Sequence, residues 1–196
     1  MQEDLVVHQM DVTTAYLNAP IDTEVYMEQP EGYEKVGKNG EKLVYKLQKY
    51  LYGLKQSGSN WNNALHTYLL GENFQQSLAD PCVYHKNESE SKVIVIVWVD
   101  DIIIGASNEA LLNNVKSALN NRFKMKDMGQ LAWFLGIEFK CNGDHGDSIE
   151  MNQTKYLEKL LRRFNMADCK PKVTPCDLGA NKIKDEDSVE LEDPRL

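Results

Sequence analysis

The strongest constraint on this chain is a run of seven apolar residues, Val93 to Val99, closed by two adjacent acids, Asp100 and Asp101, and resumed by Ile102-Ile103-Ile104-Gly105. Most of the run is β-branched, and its unbroken apolarity predicts a strand covered on both faces. Two acids between two such runs predict a tight hairpin whose turn carries both. A carboxylate beside so apolar a run is costly unless it is solvated, paired or bound to a cation. Adjacent acids also repel, which raises their proton affinity unless a metal neutralises them. The doublet therefore reads in two ways: a solvated turn, since Asp favours turns, or part of a cation site.

Asp11 shifts the weighing toward the second. It too follows an apolar strand, Leu5-Val6-Val7-His8-Gln9-Met10, and precedes Val12-Thr13-Thr14-Ala15-Tyr16-Leu17. Three carboxylates on neighbouring strand ends suit Mg²⁺, which takes a few carboxylates together with water and substrate phosphate oxygens. Two such ions about 4 Å apart activate an attacking hydroxyl and stabilise a departing pyrophosphate. Spacing alone leaves open whether Asp11 and Asp100 meet.

The rest of the chain supplies strands and helices in alternation. Val25 to Met27 and Leu43 to Leu47 read as strands separated by a Gly, Lys and Glu-rich loop. Trp61, Ala64, Leu65, Tyr68 and Leu69 recur at helical spacing and form one apolar stripe. Cys82 to His85 reads as a short strand, followed by a polar turn from Asn87 to Ser91. Leu111, Leu112, Val115, Ala118 and Leu119 mark a second helix, capped by Ser107 or Asn108. Phe134 to Phe139 and Ser148 to Met151 predict another strand pair, and Leu157, Leu160, Leu161 and Phe164 a third helix. Beyond Lys170 periodicity stops and Pro and acids accumulate, which predicts an extended tail. Hairpins mixed with helices predict an α+β fold, an antiparallel sheet packed on helices.

Length and composition agree with a folded unit. The chain has 196 residues, 42% hydrophobic and 27% charged, enough to bury a sizeable core. Its longest apolar run is far short of the ~20 residues that cross a bilayer, and Met1-Gln2-Glu3-Asp4 is no basic-then-apolar leader. A soluble, intracellular protein is expected. The net charge of −8 argues against a nucleic-acid binder. Half of it, however, lies from Asp177 onward, where seven acids face three bases, so the body leaves room for a basic groove. Cys82, Cys141, Cys169 and Cys176 show no C-x-x-C spacing and read as inert thiols; zinc pairs of Cys82 with His85 or Cys141 with His145 are the less favoured reading.

Several ordered motifs carry a resemblance. The segment Gln9-Met10-Asp11-Val12-Thr13-Thr14-Ala15-Tyr16-Leu17-Asn18, then Val25-Tyr26-Met27-Glu28-Gln29-Pro30-Glu31-Gly32-Tyr33, resembles the first palm motif of Ty1/copia-type reverse transcriptases. Leu51-Tyr52-Gly53-Leu54-Lys55-Gln56-Ser57 with Trp61 resembles their second. Trp98-Val99-Asp100-Asp101 resembles their Y-V-D-D box, and Phe134-Leu135-Gly136-Ile137, Gln153 to Met166 and Val173-Thr174-Pro175 resemble later blocks. The likeness spans nearly the whole chain.

The resemblance implies a polymerase palm with partial fingers over residues 1–170, followed by an extended acidic tail, 171–196, where a thumb connection begins. It implies an RNA-directed DNA polymerase that transfers nucleotides to a primer 3′-end. Asp11 and Asp100 would ligate two Mg²⁺ ions (Mn²⁺ able to substitute), with Asp101 assisting and the Val12 carbonyl completing a metal site. Tyr16 matches the bulky gate under the incoming sugar, its alternative being an ordinary core tyrosine. Tyr52, Gly53 and Lys55 would shape the template and nucleotide side of the pocket, Gly53 through close backbone approach; Lys55 reads equally as a solvated lysine. Trp61 reads as core rather than a base-stacking platform. Implied partners are primer–template RNA or DNA and a deoxynucleoside triphosphate, with other Pol or Gag segments in a cytoplasmic virus-like particle. Lys35, Lys38, Lys42, Lys46, Lys49 and Lys55 read either as phosphate contacts or as a hydrated face.

Three departures from the family pattern stand out. Trp98 replaces the usual Tyr, keeping an aromatic but losing a hydroxyl. Ser59 stands where family members usually carry Arg, which removes a cation. Against the family's order of motifs, the basic fingers that grip a triphosphate would precede the chain, and the thumb continuation and ribonuclease H domain would follow it, so weak or no activity is expected of this chain alone. The alternative function is a catalytically inactive remnant serving as a binding or structural module. An unrelated divalent-metal phosphohydrolase explains the acids but not the ordered motifs.

Overall fold

Alternating Val and Ile side chains need a second layer to hide one face of each strand, and two amphipathic helices provide it. A computed structural model describes residues 5–88, 91–142 and 148–173. Its contacts divide the chain into two units, Met1–Gln153 and Thr154–Leu196. In the first unit β1 (Val6–Val12) leads to a single 3₁₀ turn (Ala15–Asn18), then β2 (Tyr26–Glu28), β3 (Val44–Lys46) and helix α1 (Ser57–Gly71). There follow β4 (Gln75–Gln76), β5 (Val83–Glu88), β6 (Ser91–Trp98), β7 (Asp101–Ala106), helix α2 (Glu109–Arg122) and β8 (Met125–Gln130). β9 (Trp133–Phe134), β10 (Ile137–Asn142) and β11 (Ser148–Asn152) complete the unit. The second unit contributes helix α3 (Thr154–Arg163), none of whose side chains is buried.

The main sheet is antiparallel, ordered β4-β5-β6-β7-β1-β8, with a three-stranded sheet β11-β10-β9 and a two-stranded sheet β2-β3 beside it. The fold is thus α+β, as expected. β1 sits inside the sheet between β7 and β8, far from its sequence neighbours. Register places Val95 opposite Ile104 and Val97 opposite Ile102, and Ile102 opposite Met10. These side chains, with Val12, are all buried. They pack with Trp61, Leu65 and Leu69 of α1 and with Leu112 and Leu119 of α2. Phe123, just after α2, closes the layer: its ring lies edge-on to Trp61 at 5.1 Å and to Tyr68 at 5.3 Å. Each such aliphatic side chain stabilises by about 1.5–3 kcal/mol when fully buried.

Two expectations need correction. β6 is fully buried on one face only. Val93, Val95 and Val97 lie under the helices, whereas Ile94 and Ile96 on the other face are half-buried and Trp98 is exposed. Its unbroken apolarity therefore corresponds to full burial on one face and partial burial on the other. The hairpin turn also carries one acid rather than two: Val99 and Asp100 form it, and Asp101 is already the first residue of β7. α2 begins as predicted, the Asn108 side chain accepting the Leu111 N–H at 2.9 Å. The polar edge strand β8, the short β4 and the 3₁₀ turn have no signal in the hydrophobic pattern. Most of the predicted acidic tail, with Cys176, lies outside the described residues, as do residues 89–90 of the predicted polar turn and His145.

Candidate active site

Strand pairing brings the first acid to the doublet. β1 runs antiparallel to β7 with Asp11 directly opposite Asp101, and directly opposed residues share a face of the sheet. That face is the one away from α1 and α2, because Met10 and Val12 on either side of Asp11 point into the helix layer. Asp101 is also opposite Trp98 of β6. The turn is fastened to β1 as well, by the Val12 N–H donating to the Asp100 carbonyl at 2.7 Å. Asp11, Val12, Asp100, Asp101 and Trp98 thus gather at one end of three adjacent strands.

The turn itself is held in an unfavourable shape. Val99 has φ 52°, a left-handed conformation that a β-branched residue avoids. Trp61 holds it there: its ring is buried and its indole N–H donates to the Val99 carbonyl at 2.7 Å. The expectation that Trp61 is core holds, and the same side chain also grips the acidic turn.

Neutral donors surround the doublet. The Tyr52 hydroxyl donates to Asp100 Oδ2 at 2.7 Å, and the Gln9 amide donates to Asp101 Oδ1 at 3.1 Å. Loss of hydration, then the hydrogen bond to Asp100 and its negative charge, push the Tyr52 hydroxyl up to about 12, so it remains a proton donor at neutral pH. Asp100 Oδ1 is buried with no hydrogen-bond partner. An unmet buried acceptor is rare in a folded protein. Among the described residues no three Asp, Glu, His or Cys side chains converge as a ready-made metal cluster. The donor chemistry nonetheless fits a hard dication, which often takes only one or two carboxylates from the protein, and the bare Asp100 oxygen is an acceptor such an ion would satisfy.

The expected nucleotide residues fall into two groups. Tyr16 is half-buried in the 3₁₀ turn, and its ring centroid lies 4.3 Å from that of Tyr52 with the planes inclined by 42°. Tyr16, Gly58, Trp61, Cys82, Trp98 and Val99 are among the residues lining a cleft of about 210 Å³. Tyr16 and Trp98 thus border one cavity, and Tyr52 links Tyr16 to Asp100. Gly53 and Lys55 are exposed beyond it. Gly53 has φ +95°, and a Cβ there would meet nothing of the chain within 4 Å. The positive φ is itself a reason for glycine at this position, since a side chain there would be strained. Ser59 is exposed on the first turn of α1.

Of the six candidate phosphate-binding lysines, Lys42 pairs with Glu28 at 3.3 Å and Lys46 pairs with Glu24, all on exposed side chains. The sequence did not single out Gln9. Its signal was there: a polar residue two positions before Asp11 in an apolar strand, hence on the same face as the acid.

Comparison with known proteins places this geometry. The family model for reverse transcriptase (RNA-dependent DNA polymerase) matches residues 1–177. The chain is 39% identical over 173 residues to the retrovirus-related Pol polyprotein from transposon TNT 1-94 of Nicotiana tabacum, covering 88% of this chain and 13% of that polyprotein. It is 38% identical over 169 residues to the corresponding polyprotein from transposon RE1 of Arabidopsis thaliana, covering 86% of this chain and 11% of the relative. With the putative transposon Ty5-1 protein of Saccharomyces cerevisiae it shares 30% identity over 168 residues, covering 85% of this chain and 53% of that protein. The chain thus spans a small part of the two plant polyproteins. No helix among the described residues is long and apolar enough to cross a membrane. The chain belongs to the reverse transcriptase (RNA-dependent DNA polymerase) family, as a domain of the Ty1/copia-type retrotransposon Pol polyproteins.

Proposed function

We propose that this domain is the catalytic palm, with partial fingers, of an RNA-directed DNA polymerase, and that residues 171–196 lead toward a thumb. The reaction is transfer of a nucleotide from a deoxynucleoside triphosphate to a primer 3′-end on an RNA or DNA template. The observation that carries this reading is the register of Asp11 against Asp101, with the Asp100 turn tied to Val12 and one Asp100 oxygen bare.

Asp11, Asp100, Asp101 and the Val12 carbonyl would hold two Mg²⁺ ions, with Mn²⁺ able to substitute. Such a pair supplies activation of the attacking hydroxyl and stabilisation of the leaving pyrophosphate. The chain's own residues position the reactants. Tyr16 packs under the incoming sugar, where its ring disfavours a 2′-hydroxyl, and Tyr52 braces that ring from the side facing Asp100. Trp98, exposed beside Asp101, offers an aromatic surface at the primer end. Gly53 and Lys55 border the template side, Lys55 through a phosphate contact. The implied partners are the primer–template and, in a cytoplasmic particle, other Pol and Gag segments.

Primer extension by the chain with Mg²⁺ or Mn²⁺, read beside calorimetric Mn²⁺ titration, tests the reading. Mn²⁺ uptake that is lost in Asp11→Asn, with any extension abolished by Asp100→Asn, is expected. Extension that survives Asp100→Asn overturns the proposed site. Neither extension nor Mn²⁺ uptake identifies an inert scaffold instead.

A further inference from the structure

We infer that Gln9 and Tyr52 are positioning residues that each hold one oxygen of the acidic doublet and leave the other for a metal ion; this rests on the two-ion reading above. The two contacts are alike in kind and come from separate parts of the chain. Gln9 lies on β1, is buried to 8% exposure, and donates to Asp101 Oδ1. Tyr52 lies between β3 and α1 and donates to Asp100 Oδ2. In each carboxylate a single oxygen is engaged by a side chain, and for Asp100 the remaining one is buried and bare.

The chemistry of the donors matters as much as their place. A lysine or arginine in either position would fix the carboxylate but cancel its charge, and with it the attraction for a cation. An amide N–H and a phenol O–H fix the rotamer while leaving the negative charge whole. Partners of this kind orient ligating groups before the ion arrives, and their loss typically lowers metal affinity about 10–100-fold. Tyr52 also lies against Tyr16 with the two rings tilted, so the residue that aims Asp100 is in contact with the one proposed to meet the sugar. Ion binding and nucleotide fit are thereby joined through one ring.

The test is Mn²⁺ affinity of the full chain, by calorimetry or by electron paramagnetic resonance of free Mn²⁺, beside thermal melting. Tyr52→Phe keeps the ring and its contact with Tyr16 but removes the donor. It is expected to weaken Mn²⁺ binding about 10–100-fold with melting unchanged, a split that a purely structural role would not produce. Gln9→Met should act in the same direction through Asp101; should it fail to fold, Tyr52→Phe decides alone. Affinity within twofold of the parent in Tyr52→Phe, or tighter than the parent, overturns the inference. Parent uptake that is absent, or unaffected by Asp100→Asn, sinks the two-ion reading itself and the inference with it. The two failures are therefore distinguishable.

Discussion

Strand β1 carries two clusters of charge, three residues apart, and they are built on opposite plans. Toward α2, the Lys116 ammonium lies 2.5 Å from an Asp127 oxygen and 3.0 Å from His8 Nδ1, with only 9% of the lysine exposed. Every member of that group has a partner of suitable charge or polarity. At the other end, strand register and the turn bring Asp11, Asp100 and Asp101 to one strand end with no ion pair to any of them among the described residues, only the neutral donors Tyr52 and Gln9 on the doublet. One cluster is satisfied by the fold and the other is left unsatisfied by it. Charge that holds a fold together is paired; charge left bare at a strand end, at some expense to stability, is what the proposed ion binding would require.

The sharpest way to break this contrast is to neutralise one member of each cluster. Lys116→Met keeps the apolar stem and removes the cation, leaving Asp127 and His8 without it. Loss of one partner from a fully buried pair costs about 3–5 kcal/mol; since Asp127 is half exposed, about 2 kcal/mol is expected here. Asp100→Asn should lose no stability in ion-free buffer, because it discharges a carboxylate with an unmet buried oxygen. Denaturant unfolding of the two variants checks both. Equal losses would show that the acidic end is as much a structural device as the other.

A smaller effect comes from pH, and it acts on the paired cluster alone. Lys116 Nζ is a donor only, so His8 Nδ1 must accept and the ring must be neutral. Burial first, and then the Lys116 charge, hold His8 below its ordinary 6.5, with Asp127 and Glu109 opposing. A histidine depressed in the folded state contributes stability that is present above pH 6.5 and lost as the unfolded chain takes up its proton below it. Asp127 adds a second window. Burial pushes its carboxyl up, but the Lys116 hydrogen bond, the Gly129 N–H and the nearby positive charges more than reverse this, so its share is lost only below about pH 3.8. Melting temperature against pH should fall between pH 6.5 and 5, and His8→Gln should flatten that fall. An unchanged slope in the variant would assign the acid sensitivity elsewhere.

Much of this was legible in the residue order, for identifiable reasons. α1 and α2 show themselves because burial selects side chains at helical spacing, and Asn108 because a cap needs a short acceptor just before the first turn. Asp11 and the doublet were legible as acids at the ends of apolar strands. Their meeting was not, since β1 reaches β7 across some ninety residues and only the register sets Asp11 against Asp101. β8 escaped notice because an edge strand with residues Met-Lys-Asp-Met-Gly-Gln has too little apolar alternation to announce itself. Gln9 and Tyr52 as holders of the doublet were hidden for the same reason as the meeting: hydrogen bonds between distant segments leave no trace in local spacing.

The smallest expected effect tests whether the acidic end stores strain as well as charge. Val99 is the only residue between β6 and the carboxylate of Asp100, and its φ of 52° costs an L-residue about 1–2 kcal/mol relative to a right-handed conformation. Glycine adopts that shape freely but loses about 0.5–1 kcal/mol more backbone entropy on folding. Val99 is 43% exposed, so little packing goes with its side chain. Val99→Gly should therefore stabilise by a few tenths of a kcal/mol, up to about 1 kcal/mol, seen as a raised denaturation midpoint with an unchanged slope. A loss of stability would mean that Trp61, through its hydrogen bond to the Val99 carbonyl, holds the turn without strain. In that case bare charge alone would separate the acidic end of β1 from the paired one.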